Sequence, residues 1–446
     1  MSNPALVNLL TLFEGDQDEI WVGLDSIIMA INQSVEAQLN AIIHHPRFKA
    51  LESTWVGLAM LVDDIGDLPL VKLEMLNLSK RDLQDDFEEY FDLSDSGLFF
   101  HLYKTEYDQA GGEPYASVLL QYEFANTAPD LNLLKMISKV AASCHCPAVA
   151  NATPGLFNVK DYQSVEEIED FDLLFEGREF IKWRQLRQAE DARYLALILP
   201  KVLARRPYTD YIFQSFRFNE TVAQLSDTNW TYATYMFGMI LGRSFSKYGW
   251  CVHIRGPRTG GLIPHIEPLP IGCKGLEVNR YPLEIVFSDY QEHKLSDQGF
   301  VVLNYFKETN RPCVFSAPTI QSYLRDRSRV FNSNDRLAAS LPYIYLVSRI
   351  AHYQKVIQRE NVGTVKEAKT LELELANWLK KLVTSMPDPN MDIRSRFPLR
   401  GGMVSVKEDA SNPGFFDLHL ILQPHLQLEG VNAELTLISK LPRSKE

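Results

Sequence analysis

The first part of the chain carries apolar residues at every third or fourth position, which is the period of one face of an α-helix. One apolar stripe consists of Trp21, Leu24, Ile28, Ile31, Val35, Leu39 and Ile42. After Pro46 a second stripe follows, made of Phe48, Leu51, Trp55, Leu58 and Leu61. This spacing predicts a helical hairpin over residues 1–66, with a long apolar face that needs a packing partner.

Strand and helix patterns alternate in the middle of the chain. Val71–Leu78 has the composition of a strand, and Ser79 with Asp82 is typical of the start of a helix. Ser117–Ala150 predicts a strand, a helix and a parallel strand. Two more units of this kind are predicted in Asn229–Gly256, with its strand at Trp250–Ile254, and in Leu283–Tyr305, where Gly299 ends the short helix.

The pattern changes near the C-terminus. Asp335–Gln358 and Val365–Val383 have helical period, and three strand patterns follow at Met403–Lys407, Phe416–Leu422 and Val431–Ser439. These strands predict a small antiparallel sheet whose edges are open to strand exchange with another chain.

The fold class predicted from these patterns is α/β (α+β), with three domains. They are the N-terminal helical hairpin (1–66), a central mixed α/β domain (67–330) and a C-terminal domain of helices and sheet (331–446).

Charge and cysteine content narrow the class of protein. The net charge of −12 at pH 7 argues against a nucleic-acid-binding surface, because such surfaces concentrate Lys and Arg. Five cysteines without a framework spacing favour a reducing, cytoplasmic environment. The start of the chain lacks the features of a secretory signal, and no apolar run reaches the roughly 18 residues of a transmembrane helix. No membrane association is expected.

A search for catalytic chemistry finds no common nucleotide-binding or hydrolase motif. Cys144-His145-Cys146 offers three metal ligands, but structural zinc usually takes four, so we expect no metal and no cofactor. The glycines of Gly256–Gly261 would let backbone amides approach an anion, although a tight loop beside a subunit contact is favoured.

Charged residues are concentrated between positions 176 and 193, where mutual pKa shifts would suit an active site. The charges alternate at helical spacing, however, which favours a structural ion-pair cluster. Its predicted members are Glu176, Lys182, Arg184, Glu190, Asp191 and Arg193, beside Glu179 and Arg187. Trp183 and Tyr194 are expected to pack within it as aromatic anchors.

Eight short blocks, in order along nearly the whole chain, resemble the large subunit of the type VI secretion contractile sheath (the TssC/VipB family). They lie at His44–Phe48 with Leu51–Trp55, Gly111–Tyr115, Phe175–Gly177 with Lys182–Arg184, Glu190–Tyr194, Ser244–Trp250, Ile254–Gly256, Leu341–Tyr343 with Ser348–Arg349 and Ala351–Tyr353, and Pro424–Leu428.

The resemblance implies a structural protein rather than an enzyme. Members of this family pair with a smaller sheath subunit, and the pairs polymerise as a six-start helical tube around a stack of inner-tube proteins, in contact with a baseplate. The extended sheath is metastable, and its contraction drives the tube and spike outward. A sheath-recycling AAA+ ATPase is a further partner of the family.

The resemblance also implies a division of the surface among partners. The expected small-subunit interface consists of Ile28, Ile31, Val35, Leu39, Trp55 and Leu58. Strand exchange is expected around Val404, Leu418, Leu420, Leu435 and Leu437. The acidic residues Glu367, Glu372 and Glu374 are expected to contact the tube.

Two departures from the family and two alternatives accompany this prediction. Twenty residues precede Trp21, whereas relatives usually have a longer extension that in some holds a helix read by the ATPase; Ala5–Phe13 is expected to form a short amphipathic helix. Val56 stands where relatives tend to have Arg.

The alternatives are a cytoplasmic α/β enzyme that uses the charged cluster, and a sheath subunit of another phage-tail-like particle.

Overall fold

A computed structural model describes most of the chain. The described residues are 17–209, 211–213, 216–222, 224–264, 266–273, 276–306, 311–322, 333–361, 368–384, 386, 388–408, 415–425 and 435–442. They form two compact units. The first comprises Met1–Ala59, Lys201–Thr231 and Ile266–Glu284, and the second comprises Met60–Pro200, Tyr232–His265 and Ile285–Glu446. The division into three domains stays a prediction.

Helices and strands occur together throughout, which confirms the α/β (α+β) class. The strands are β1 (Val118–Phe124), β2 (Ala148–Ala152), β3 (Leu195–Leu199), β4 (Val202–Leu203), β5 (Tyr211–Phe213), β6 (Phe216–Phe218), β7 (Trp230–Thr231), β8 (Leu269–Cys273), β9 (Leu276–Arg280), β10 (Phe300–Phe306), β11 (Arg311–Val314), β12 (Leu399–Glu408), β13 (Phe415–Pro424) and β14 (Leu435–Pro442). The α-helices are α1 (Gln17–Ile43), α2 (Pro46–Ile65), α3 (Lys80–Glu89), α4 (Gly97–Phe99), α5 (Ala128–Cys144), α6 (Tyr162–Glu166), α7 (Phe171–Glu176), α8 (Ile181–Gln188), α9 (Ala233–Tyr248), α10 (Asp289–Asp297), α11 (Ser333–Ala338), α12 (Leu341–Glu360), α13 (Ala368–Lys380) and α14 (Met391–Arg396). A π-helix spans Phe100–Tyr107, and 3₁₀ turns span Leu93–Asp95, Pro154–Phe157, Arg178–Phe180, Glu190–Tyr194 and Leu225–Asp227.

The predicted hairpin is confirmed as helices α1 and α2. Pro46 opens α2, a position where its missing N–H costs no hydrogen bond. The first unit also contains short antiparallel strand pairs: β4 with β7, β5 with β6, and β8 with β9. No helix among the described residues is both long and apolar enough to cross a membrane.

The second unit is built on a five-stranded sheet in the order β1-β2-β3-β10-β11. All neighbouring pairs are parallel except β10 with β11. Strand β1, helix α5 and strand β2 form the predicted strand-helix-strand unit, and Thr127 caps the helix. Strands β2 and β3 are buried along their whole length, as in sheets covered on both faces.

The C-terminal sheet belongs to the same unit and has the antiparallel order β12-β13-β14. Its buried face, which includes Leu418, Leu420 and Leu422, packs in one core with Ile350 of α12 and Leu375 of α13. The predicted small antiparallel sheet is therefore confirmed.

Four predictions about elements were wrong. Residues 283–287, predicted as the first strand of the unit at Leu283–Tyr305, form only an isolated bridge between Leu283 and Val202. Val71–Leu78 is not a strand: it meets β1 through a side chain, with the Tyr122 hydroxyl donating to Leu78 O at 2.6 Å, and it joins no backbone ladder. Trp250–Ile254 is buried chain without a ladder. The helix predicted over Asp335–Gln358 is interrupted and restarts at Leu341, because Pro342 lacks the N–H that a continuous helix would need there.

Some predictions fall on residues outside the described ranges. They are the helix at Ala5–Phe13, the first part of Val431–Ser439, residue Glu367, and the side chains of Leu435 and Leu437.

Candidate assembly surfaces

The hairpin presents an apolar face in the first unit. Ile28, Ile31 and Val35 of α1 are exposed, and Trp55 of α2 is 57% exposed, whereas Leu39 and Leu58 are half-buried. Trp21, Ile42 and Leu51 add to the exposed apolar surface of the two helices. So many exposed large apolar side chains on two consecutive helices are typical of a protein–protein contact.

A buried charge network fixes the hairpin within its unit. Arg205 donates to Glu52 Oε1 at 2.6 Å and to Glu220 Oε2 at 2.6 Å. Asn229 Nδ2 donates to Glu52 Oε2 at 2.5 Å, and His44 Nε2 lies 3.2 Å from Glu220 Oε1. The network therefore joins the turn of the hairpin and helix α2 to residues 205–229.

Glu220 stays ionised within this network. Its side chain is only 2% exposed, and burial by itself raises the pKa of its carboxyl. Hydrogen bonds from Arg205 and from the Tyr208 N–H outweigh burial and lower that pKa overall. Conversely, burial lowers the pKa of Arg205, whereas its bonds to Glu52 and Glu220 raise it overall.

Substituting Arg205→Met is expected to lower the free energy of unfolding by about 3–5 kcal/mol, because two largely buried carboxylates, those of Glu52 and Glu220, lose the arginine that balances their charge. Arg206→Met is the matched control. Arg206 is 45% exposed and pairs with the exposed Glu267 at 2.9 Å, a surface contact expected to change stability by less than about 1 kcal/mol. Urea unfolding measures both variants, and equal effects would contradict a central role for Arg205.

The C-terminal sheet has two edges, β12 and β14. Leu418 and Leu420 lie on the central strand β13, whose backbone is paired with β12 and with β14, and both side chains are buried in the core. A strand from another chain therefore has to join at β12, which carries Val404, or at β14, which carries Leu435 and Leu437.

The edge of β12 is partly occupied from within the chain. The Val406 N–H donates to Glu372 Oε2 at 3.1 Å, and the Leu399 N–H donates to Leu382 O at 3.3 Å. Glu372, which the sequence assigned to a tube contact, thus engages the sheet edge, whereas Glu374 is exposed. The tube contact stays a prediction.

Residues 176–193 surround a large aromatic core. Trp183 is fully buried and stacks on Phe300, with ring centroids 5.7 Å apart. Arg184 donates to the backbone carbonyls of Phe175 and Gly177, and Arg193 donates to that of Glu190. These arginines fasten turns of the backbone; the ion-pair cluster as a whole stays a prediction.

Arg187 has a larger role than its place in the charged sequence indicates. It is buried, and it donates to Ile320 O at 3.0 Å and to Gln298 Oε1 at 2.6 Å. Gln298 Nε2 in turn donates to Asp172 Oδ1 at 2.5 Å. The sequence does contain a signal for this role. Arg187 lies four positions after Trp183, and residues four positions apart are neighbours on a helix, so both lie on the apolar face.

Two histidines lie together in the second unit. His145 Nδ1 is 3.0 Å from the Tyr194 hydroxyl, and His352 Nε2 is 3.0 Å from Cys144 O. The ring of Tyr107 contacts both imidazoles, with centroids 5.9 and 5.6 Å away. Burial lowers the pKa of His145 and of His352 to about 4, so both are neutral at pH 7.

Acid is expected to destabilise this region. The unfolded chain binds protons at these histidines below about pH 6.5, whereas the folded chain does so only near pH 4, so the free energy of unfolding falls as the pH drops through this window. Each histidine contributes about 2 kcal/mol of loss between pH 7 and 5. In urea unfolding, His352→Gln is expected to reduce the pH dependence by this amount; an unchanged dependence would contradict the assignment.

The structure shows the surroundings of the two motifs that were considered for metal or anion binding, Cys144-His145-Cys146 and Gly256–Gly261. Burial raises the pKa of Cys144 to about 12, and no group of three or more His, Cys, Asp or Glu residues in the described ranges could hold a metal ion. In the glycine loop, the Gly256 N–H donates to Val314 O and the Gly261 N–H donates to Gly256 O. These two amides are therefore engaged within the fold.

Comparisons with known proteins identify the class and then the family. A family model described as the EvpB/VC_A0108 tail sheath N-terminal domain matches residues 25–321. A second, the EvpB/VC_A0108 tail sheath gpW/gp25-like domain, matches residues 331–441. The chain is thus a tail sheath protein by class, and it belongs to the VipB family.

A relative and two solved structures are similar to the chain. The type VI secretion system sheath protein TssC1 of Pseudomonas aeruginosa is 34% identical over 433 residues, covering 95% of this chain and 86% of the relative. A chain of the anti-feeding prophage baseplate aligns at 11% identity and a TM-score of 0.35, covering 84% of this chain and 80% of the other. The sheath tail protein Lin1278 of Listeria innocua aligns at 9% identity and a TM-score of 0.31, covering 70% and 60%.

Proposed function

We propose that the chain is the large structural subunit of a type VI secretion contractile sheath. It pairs with a small sheath subunit, and the pairs polymerise around an inner tube in the bacterial cytoplasm and contract to propel the tube and spike. The observation that carries this proposal is the 34% identity to a type VI sheath protein along 95% of the chain.

The apolar face of the hairpin supports pairing with the small subunit. Ile28, Ile31, Val35 and Trp55 are exposed. Burying one such apolar side chain against a partner contributes roughly 1.5–3 kcal/mol to the free energy of binding. The Arg205 network holds the hairpin in place, so that its face is presented as a preformed surface. Leu39 and Leu58 border this surface.

The edges of the C-terminal sheet support a second, polymer-forming contact. A strand added at β12 or β14 is held by backbone hydrogen bonds, which depend little on side-chain packing and therefore tolerate rearrangement during contraction. Glu372 covers part of the β12 edge and leaves it when a strand joins there. Glu374 and Glu367 are proposed to face the inner tube, and the baseplate and the recycling ATPase are further proposed partners.

Co-purification tests the pairing. The full-length chain is expressed with its small sheath subunit, and only the small subunit carries a tag. The chain is expected to be retained in an amount equal to that of the tagged subunit. Retention that is no greater than that of an untagged control would contradict the proposal.

A further inference from the structure

A small cleft lies in the second unit beside the glycine turn at residues 256–261. Arg255, Ser296, Asp297, Thr319 and Arg336 are among the residues that line it. Its volume is about 60 Å³. Small-molecule sites usually measure about 300–1,000 Å³, so the cleft is too small for such a ligand and suits a group the size of a carboxylate.

The arginines of this cleft are paired unequally. Arg336 Nη2 lies 3.6 Å from Asp297 Oδ1. Arg255 is half-buried, and within the described residues no carboxylate pairs with it. Burial and then repulsion by Arg336 lower the pKa of Arg255, so its charge is held at a cost in free energy.

The backbone beside Arg255 is held tightly. Gly256 has φ +73°, and its N–H donates to Val314 O at 2.7 Å. A Cβ added at Gly261 would lie 2.4 Å from Val314 O, so only glycine fits. The Thr259 hydroxyl donates to Arg255 O. The turn therefore fastens the backbone at Arg255 to strand β11, beside the cleft that the Arg255 side chain lines.

An anion in the cleft would relieve this cost through charge-assisted hydrogen bonds. The chain carries 57 Asp and Glu residues against 45 Lys and Arg, so a second copy presents a net acidic surface. We propose that the Arg255 cleft receives an Asp or Glu side chain of a neighbouring copy of this chain in the assembled sheath. This inference rests on the proposed sheath function.

Arg255→Gln tests the proposal because assembly should be lost without any loss of subunit stability. The variant is expected to lower the fraction of sheath that sediments at least tenfold, while the Tm of the unassembled pair of subunits stays the same or rises, since an unpaired charge is removed. Arg258→Gln is the matched control: this arginine lies in the same turn and is exposed, and its removal should leave sedimentation unchanged.

Each other outcome has a definite meaning. A lower Tm for Arg255→Gln would assign the residue to subunit folding, and normal sedimentation would show that assembly does not use it; either result overturns the inference. If the wild type and Arg258→Gln also fail to sediment, the sheath function itself fails.

Two further arms identify the source of the anion. In sheaths of Arg255→Lys, a carbodiimide is expected to join the introduced lysine to a carboxylate of a second copy, giving a product of twice the 51.0 kDa chain mass. A crosslink to the small subunit, or none, would contradict the proposed occupant. Inorganic phosphate that raises the Tm of the wild type but not of Arg255→Gln, without a change in sheath assembly, would assign the cleft to a free anion.

Discussion

Replacing Ile31 and Val35 together with aspartate is expected to abolish co-purification with the small sheath subunit. Both side chains are exposed on α1, so the fold of the isolated chain should tolerate the change. In the complex, however, two apolar contacts are lost and two charges enter an apolar interface. Each lost side chain costs roughly 1.5–3 kcal/mol, and the buried charges add to this, so affinity should fall by more than about 100-fold.

Gln33→Asp with Ala37→Asp is the matched control for the apolar face. These residues are exposed on the same helix, each two positions beyond a test residue and therefore on the opposite side, and the charge change is identical. Affinity measured by biolayer interferometry should be unchanged in the control. Equal loss in both variants, or in neither, would show that this face does not bind the small subunit.

A proline at Val404 is expected to prevent sheath polymerisation without unfolding the chain. The Val406 N–H points away from β13, since it donates to Glu372, and the alternation of an antiparallel strand gives Val404 the same orientation. Proline there removes an outward donor and blocks strand addition, while the ladder between β12 and β13 keeps its hydrogen bonds. Sedimentable sheath should fall at least tenfold, with an unchanged Tm for the unassembled subunits.

Met403→Pro distinguishes edge blocking from general damage. The N–H of Met403 points toward β13, and its side chain is exposed, so this proline breaks a ladder bond without loss of core packing. It should destabilise the subunit by about 1–3 kcal/mol and lower the Tm. Normal sheath formation by Val404→Pro would exclude strand addition at β12 and leave β14 as the site.

Elements defined by local patterns could be predicted from the sequence. Helices α1 and α2 follow from their apolar period, α3 follows from the cap at Ser79, and Gly299 ends α10 with φ +86°. Each depends on residues within a few positions of one another, which is the range that periodicity and capping rules cover.

Features set by distant partners could not be predicted in this way. Val71–Leu78 has the composition of a strand, yet ladder pairing depends on a neighbour elsewhere in the chain. Strand β3, at the centre of the main sheet, was missed, although its apolar run Leu195–Leu199 is bounded by Pro200. Arg205 and Glu52 are 153 positions apart, and Arg187 and Ile320 are 133 apart, so spacing alone reveals neither contact.

The central claim is tested most directly by negative-stain electron microscopy. The sample is material from cells that express the full-length chain together with its small sheath subunit. The account predicts long hollow tubules that contain both subunits and that are absent when either one is expressed alone. A soluble chain that forms no tubules and ignores the small subunit would contradict it.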